Sequence, residues 1–126
     1  RFISPAEAVH GASGFLKQGD VIVLASRGGQ TNELIPIMEI CKNKGVQVIG
    51  VTENLESSLA NGSDIVLKMR VDQEADKYNS QGTTSFIVLS AIFDALQVAL
   101  IEETGFTNEQ FAKIHPAGAV GKKLNS

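Results

Sequence analysis

Three stretches of this chain are apolar almost without interruption: "DVIVLAS" (residues 20–26), "VQVIGVT" (46–52) and "SDIVLKMRV" (63–71). Unbroken runs of branched residues, rather than alternating ones, predict strands covered on both faces, as in a parallel sheet. Between the first two runs, Leu34, Ile37, Met38 and Cys41 recur at i, i+3, i+4 and i+7, the stripe of a helix. Pro36 falls in its first turn, where the missing N–H costs little, and Gly45 stands where a helix would end. Between the second and third runs, "NLESSLANG" (54–62) predicts a shorter helix closed by Asn61-Gly62. The pattern β-α-β-α-β implies right-handed crossovers and a doubly wound, Rossmann-like α/β fold, a parallel β-sheet flanked by helices.

The second half reads differently. A polar stretch, "DQEADKYNSQG" (72–82), leads into a helix over 83–103 that is apolar nearly all round from Phe86 to Ile101. Such a helix is expected to be buried, in a core or an interface. Its 16 apolar-rich residues, interrupted by Ser90, Asp94 and Gln97, are short and polar for a bilayer span, which needs about 20. Gly105 ends it, and "TNEQ" (107–110) has the spacing of a capping box opening a last short helix. Pro116 stops that helix at His115, because proline disfavours α conformation in the residue before it. A small-residue tail, "AGAVGKKL", follows.

Composition adds limits. The chain has 126 residues, room for a single domain with one core, and a net charge of -3. An acidic balance without clustered Lys and Arg argues against a nucleic-acid surface. One cysteine, Cys41, excludes an internal disulfide framework, fits a reducing compartment and reads as a packed core residue. No signal peptide is visible, and the expected location is cytoplasmic. No His/Cys/Asp cluster has metal-ligand spacing, so neither metal nor cofactor is expected.

The candidate chemistry centres on "LASRGGQTNE" (24–33), at the carboxyl end of the first predicted strand. It lacks both the G-x-G-x-x-G of dinucleotide sites and the G-x-x-x-x-G-K-[ST] of P-loops. What it offers is a helix N-terminus with free amides, hydroxyls from Ser26 and Thr31, the Arg27 cation, and Gly28-Gly29 permitting close backbone approach. Taken alone, it is either an anion cradle or a plain βα turn capped by Thr31 or Asn32.

The loop together with "TENLESSLANGSDIVLKM" (52–69) resembles the sugar isomerase (SIS) domain family, whose S-x-S-G-E-[ST]-x-[DE] loop binds the phosphate of a phosphosugar. "GFTNEQFAKIHPAGAVGKKL" (105–124) and "SPAEAVHG" (4–11) are similar to segments of arabinose-5-phosphate isomerases within that family. The resemblance covers essentially the whole chain, read as the latter part of one SIS domain (1–126). It implies that the domain's first strand and G-x-G-K-S-G loop lie upstream of Arg1, completing a sheet that three strands leave narrow, and that the CBS pair often found downstream is absent.

The implied activity is isomerisation of an aldose phosphate to a ketose phosphate, with D-arabinose 5-phosphate and D-ribulose 5-phosphate as the pair. The resemblance assigns Glu33, Glu74 and His115 to proton transfer or ring opening. It assigns Ser26, Arg27, Gly28, Gly29, Gln30, Thr31, Thr83 and His10 to the substrate. It further implies a homo-oligomer, dimer or tetramer, with sites between subunits, and no membrane partner. Gly28 stands in place of a loop Ser, Gln30 in place of a loop Glu, and "DKYNSQGTTSFIVL" in place of an apolar segment. The alternatives are an isomerase for another sugar phosphate and a phosphosugar sensor domain of a transcription regulator.

Overall fold

The computed structural model describes residues 1–126. By its contacts the chain divides into two compact units, residues 1–89 and 90–126.

The first unit holds the sheet. Strands β1 (Val21–Ala25), β2 (Gln47–Thr52) and β3 (Ile65–Lys68) are parallel and lie in the order β1-β2-β3. Val21 pairs with Gln47 and Ile49 with Ile65. The backbone ladder continues past the strand ends. Ser26 N–H donates to Val51 O, Glu53 N–H to Arg27 O, and Met69 N–H to Thr52 O, at 2.9–3.0 Å. This staples the three loops at the carboxyl edge to one another. β3 is shorter than the predicted run; Met69 and Val71 stay buried but lie outside the strand.

Helix α1 (Pro5–Ala8) and a 3-10 turn at Ala12–Phe15 precede β1. Helix α2 (Ile35–Lys44) follows a 3-10 turn at Asn32–Leu34 and ends at Gly45 in the left-handed conformation (φ 66°). Its predicted stripe is the buried one. Leu34, Ile37 and Cys41 join Ala8, Leu16, Leu24, Val46, Val48 and Leu59 in the core, with Met38 packed beside them. Full burial of each larger aliphatic side chain contributes about 1.5–3 kcal/mol. Helix α3 (Ser58–Asn61) is capped by Ser57, whose Oγ accepts from Ala60 N–H.

Helix α4 (Thr84–Thr104) crosses the boundary between the units, and none of its residues is buried. Of the two places expected for this helix, a core or an interface, the first is therefore corrected: it does not lie in the core of this chain. The apolar surface exists, with Phe86 and Ile87 about two-thirds exposed, but no layer of this chain covers it. At 21 residues, with a mean hydropathy of 1.9 in its best window, it is long and apolar enough to cross a membrane by length and composition.

The second unit adds α5 (Asn108–Ile114) and α6 (Gly118–Leu124). Thr107 forms the predicted capping box with Gln110 in both directions. The small-residue tail "AGAVGKKL" is helical from Gly118, with Ala117 as its N-cap. Two glycines lower its intrinsic propensity, yet Gly121 is what lets α6 form here. A Cβ at that position would lie 2.6 Å from the backbone of His115 and Pro116.

Candidate functional site

The loop after β1 is built around Gly29, the one buried residue of "SRGGQT". Its φ of 68° suits glycine, and an added Cβ would lie 2.0 Å from Ser57 Oγ and 2.8 Å from Thr52 Oγ1. The loop therefore sits flat on the floor formed by Thr52 and Ser57, both fully buried. Gly29 O accepts from Leu59 N–H, and Gly29 N–H donates to Ser26 O and Ser26 Oγ.

Above that floor, Ser26 Oγ and Thr31 Oγ1 are 2.8 Å apart and exposed. Thr31 is the N-cap of the 3-10 turn leading into α2, with no side-chain cap bond. The backbone N–H groups of Gln30, Thr31, Asn32 and Glu33 find no intramolecular acceptor. Two hydroxyls and a run of unpaired amides at the positive end of a helix make an anion cradle. Gln30 accepts from Ser58 Oγ at 2.9 Å, which draws the α3 start towards the loop. Gly28 is exposed with open space around it. Glu33 is exposed on the 3-10 turn beside the cradle, without an ion-pair partner.

Arg27 is placed differently from the expectation that gave it to the phosphate. Its Nε donates to Glu53 Oε2 at 2.8 Å, Nη1 to Glu74 Oε1 at 2.7 Å, and Nη2 to Val71 O at 3.0 Å. Glu53 Oε1 in turn accepts from Val71 N–H. The guanidinium is thus committed to protein acceptors from the loops after β2 and β3.

Glu74 is also unlike a poised base. Its side chain is 3% exposed, against 31% for Arg27 and 32% for Glu53. Besides Arg27, Thr83 N–H, Thr83 Oγ1 and Ser85 N–H all donate to its Oε2 at 3.0–3.1 Å. The hydrogen bonds from Ser85, followed by those from Thr83, outweigh burial and hold the carboxyl down at about 2. Thr83 Oγ1 also accepts from Ala75 N–H, so this hydroxyl belongs to the same network. The neighbouring loop folds on the Asp76 carboxylate, which accepts the amides of Tyr78, Ser80 and Gln81.

His10 is exposed in the turn after α1, and α1 packs on the 3-10 turn that carries Glu33. His115 lies in the second unit, at the end of α5, half-buried against the Phe111 ring at 5.0 Å. Its Nδ1 is buried and unpartnered. The first unit thus gathers Ser26, Gly29, Gln30 and Thr31 with Glu33 in one place, and Arg27, Glu74 and Thr83 in another cluster adjoining it. Glu53 and Ser85 went unread in the sequence; a Glu one residue past a strand end was the available signal for the first.

The groove of about 670 Å3 elsewhere on this unit is lined by Met38, Lys42, Val46, Gln47, Ser63 and Asp64, among others. It lies towards the opposite, amino end of β2 and β3 and includes no residue of the glycine loop, so the loop chemistry outweighs it as a site.

The SIS domain family model matches residues 1–99. Arabinose 5-phosphate isomerase KdsD of Pseudomonas aeruginosa is 41% identical over 98% of this chain, which spans 38% of that relative. KpsF of Escherichia coli, also named arabinose 5-phosphate isomerase, is 38% identical over the same share, and the chain spans 39% of it. Among solved structures, one from Listeria monocytogenes superimposes with a TM-score of 0.89 at 42% identity, covering 93% of this chain and 61% of that one. The Escherichia coli CFT073 protein c3406, solved in complex with A5P, gives 0.87 at 34% identity, covering 91% and 61%.

Proposed function

This chain belongs to the SIS domain family, and from that premise we propose that it is the phosphosugar-binding part of an aldose–ketose isomerase acting on D-arabinose 5-phosphate and D-ribulose 5-phosphate. The observation that carries the reading is the loop at the carboxyl end of β1. Its unpaired amides and the Ser26–Thr31 hydroxyl pair suit a phosphate dianion, and Glu33 lies one turn away with nothing else to bind. The naming of relatives as arabinose 5-phosphate isomerases and the A5P complex of a similar fold support it.

In this reading Ser26, Gly29 and Thr31 hold the phosphate, with Gly28 and Gln30 along the loop edge. Anchoring the phosphate fixes the sugar chain, so that one base can reach both C1 and C2. Glu33 takes the C2 proton of the open-chain aldose while a proton reaches O1, giving an enediol. Return of the proton to C1, with loss of the proton from O2, yields the ketose. His115 is assigned ring opening or proton transfer on the substrate of a neighbouring subunit, as the family resemblance implies. His10 follows α1, which packs on the turn carrying Glu33, and is assigned to the sugar side. No step needs a metal or cofactor. A cytoplasmic homo-oligomer with α4 at its seam, acting on a soluble metabolite, fits the same picture.

The test is interconversion of a panel of pentose and hexose phosphates by the full-length protein. Turnover of D-arabinose 5-phosphate above the others is the expected result. Turnover of a different sugar phosphate would correct the substrate. Tight binding of one sugar phosphate without turnover of any would replace the isomerase with a sensor.

A further inference from the structure

Arg27 occupies an open position of the loop pattern, which leaves a cation beside the proposed phosphate site without an assigned role. We propose that Arg27 is a positioning residue and not a phosphate ligand: with Glu53 and Glu74 it forms a clasp that holds the glycine loop against the loop after β3 and the first turn of α4, and Glu74 is spent in that clasp rather than used as a base. The role given to the clasp rests on the isomerase reading; the clasp itself rests on geometry.

Arg27 is fixed at both ends. Its carbonyl accepts from Glu53 N–H at 2.9 Å and from Thr52 Oγ1 at 3.0 Å. Its guanidinium reaches acceptors 26, 44 and 47 residues away, in two other loops. A planar fork can satisfy three acceptors in fixed directions; an ammonium on a flexible stem cannot. Glu74 is the other jaw. One oxygen takes Arg27, and the other takes two amides and one hydroxyl from the start of α4. Its own backbone N–H donates to Asn79 Oδ1 at 2.7 Å, closing the polar loop onto the same point. The charged groups bearing on Glu74 are Arg27 and, through it, Glu53. Asp76 is turned to its own loop amides.

Oε2 is filled by three donors and Oε1 is held by the Arg27 guanidinium, so a carbon-bound proton would have to approach Glu74 on the oxygen that carries its cation. A guanidinium spanning two carboxylates and a carbonyl has its charge offset where a phosphate would need it. Both groups instead set where the cradle stands relative to the Thr83–Ser85 turn, which is a matter of distance and direction.

The experiment uses the full-length protein. Arg27→Lys and Arg27→Met are assayed for KM and kcat across pH, and the 13C carboxyl signal of Glu74 is titrated in the wild type. The expected result is a KM rise of about 10- to 100-fold for both variants, the lysine failing to rescue, with the acid limb of kcat/KM unmoved. Near-wild-type KM in Arg27→Lys would overturn the clasp in favour of a phosphate ligand, for which charge suffices. A rise in kcat with the acid limb moving upward in Arg27→Met would overturn it in favour of Glu74 as base, released by loss of its cation. Where the variants do not fold, the titration decides: a midpoint below about 3 supports the clasp and one above it overturns it. Wild-type protein that turns over no sugar phosphate would sink the isomerase reading alone, since the titration still reports on the clasp.

Discussion

Replacing Gly29 by alanine tests the architecture of the glycine loop most directly. The added methyl meets two obstacles. The backbone sits at φ 68°, where an alanine costs about 1–2 kcal/mol. The Cβ would also stand 2.0 Å from Ser57 Oγ, 2.4 Å from Ser57 Cβ and 2.8 Å from Thr52 Oγ1. Neither neighbour can yield cheaply. Ser57 and Thr52 are fully buried, Ser57 Oγ caps α3, and Thr52 Oγ1 donates to Arg27 O. Relieving such overpacking costs about 1–3 kcal/mol more. The sum, about 2–5 kcal/mol, is a large share of the 5–15 kcal/mol that holds a typical domain folded. Urea denaturation of the full-length protein, comparing midpoints at unchanged m, measures it. Gly28→Ala is the internal control: nothing lies within 4 Å of its Cβ and its φ is not positive, so less than about 0.5 kcal/mol is expected. If Gly29→Ala costs no more than Gly28→Ala, the loop does not rest on Ser57 and Thr52 as described.

Four further predictions follow from the same geometry. Glu33→Gln should lower kcat by about 10²- to 10⁴-fold with an unchanged urea midpoint, because Glu33 is exposed and pairs with nothing. Glu74 contributes stability that is full above its ordinary value of 4.5 and is lost as pH falls towards about 2, since its folded value is depressed. Acid unfolding should therefore show a component between those limits that Arg27→Met or Ser85→Pro diminishes. Cys41 is fully buried and burial pushes its thiol up, so native protein should resist an aromatic disulfide reagent that labels it at once in urea. Thr107→Ala removes the hydroxyl arm of the capping box, leaving the backbone N–H to Gln110 Oε1, and should cost about 1 kcal/mol, read as earlier melting of α5 by amide hydrogen exchange.

The sheet was legible because its strands are buried by continuous apolar runs, and α2 because Leu34, Ile37 and Cys41 hold one face of it. The cap at Thr107 and the stop at His115 are local and depend on a few neighbouring residues, so short windows reveal them. Helix α6 was missed for the converse reason. "GAVGKKL" is a poor helix by propensity, and what requires Gly121 is the backbone of His115 and Pro116. Helix α4 shows what apolarity leaves out: it says that a surface wants cover, not which part of a protein supplies it. At the site, the hydroxyls and glycines were readable from the βα turn, whereas the fate of Arg27 was not. Its three acceptors lie in loops far along the chain, and nothing within ten residues of Arg27 marks Glu53 or Glu74 as its partners. A loop cation beside a phosphate cradle looks like a ligand until its distant neighbours are placed.

The parallel pairing also bears on the order in which the molecule comes together. β1 joins a strand 26 residues further on, and β2 one only 16 further on, so each crossover closes a modest loop. A chain emerging from the ribosome can add its strands one by one to the edge already present, starting at the amino terminus. The Arg27–Glu74 contact is different, because it waits for a residue 47 positions later and for the Thr83–Ser85 amides beyond it. The scaffold is thus available before its loops are locked, and the last piece of this unit to be synthesised completes the Arg27–Glu74 network. A nascent chain halted after β3 would carry a formed sheet and an unlocked set of loops at its carboxyl edge.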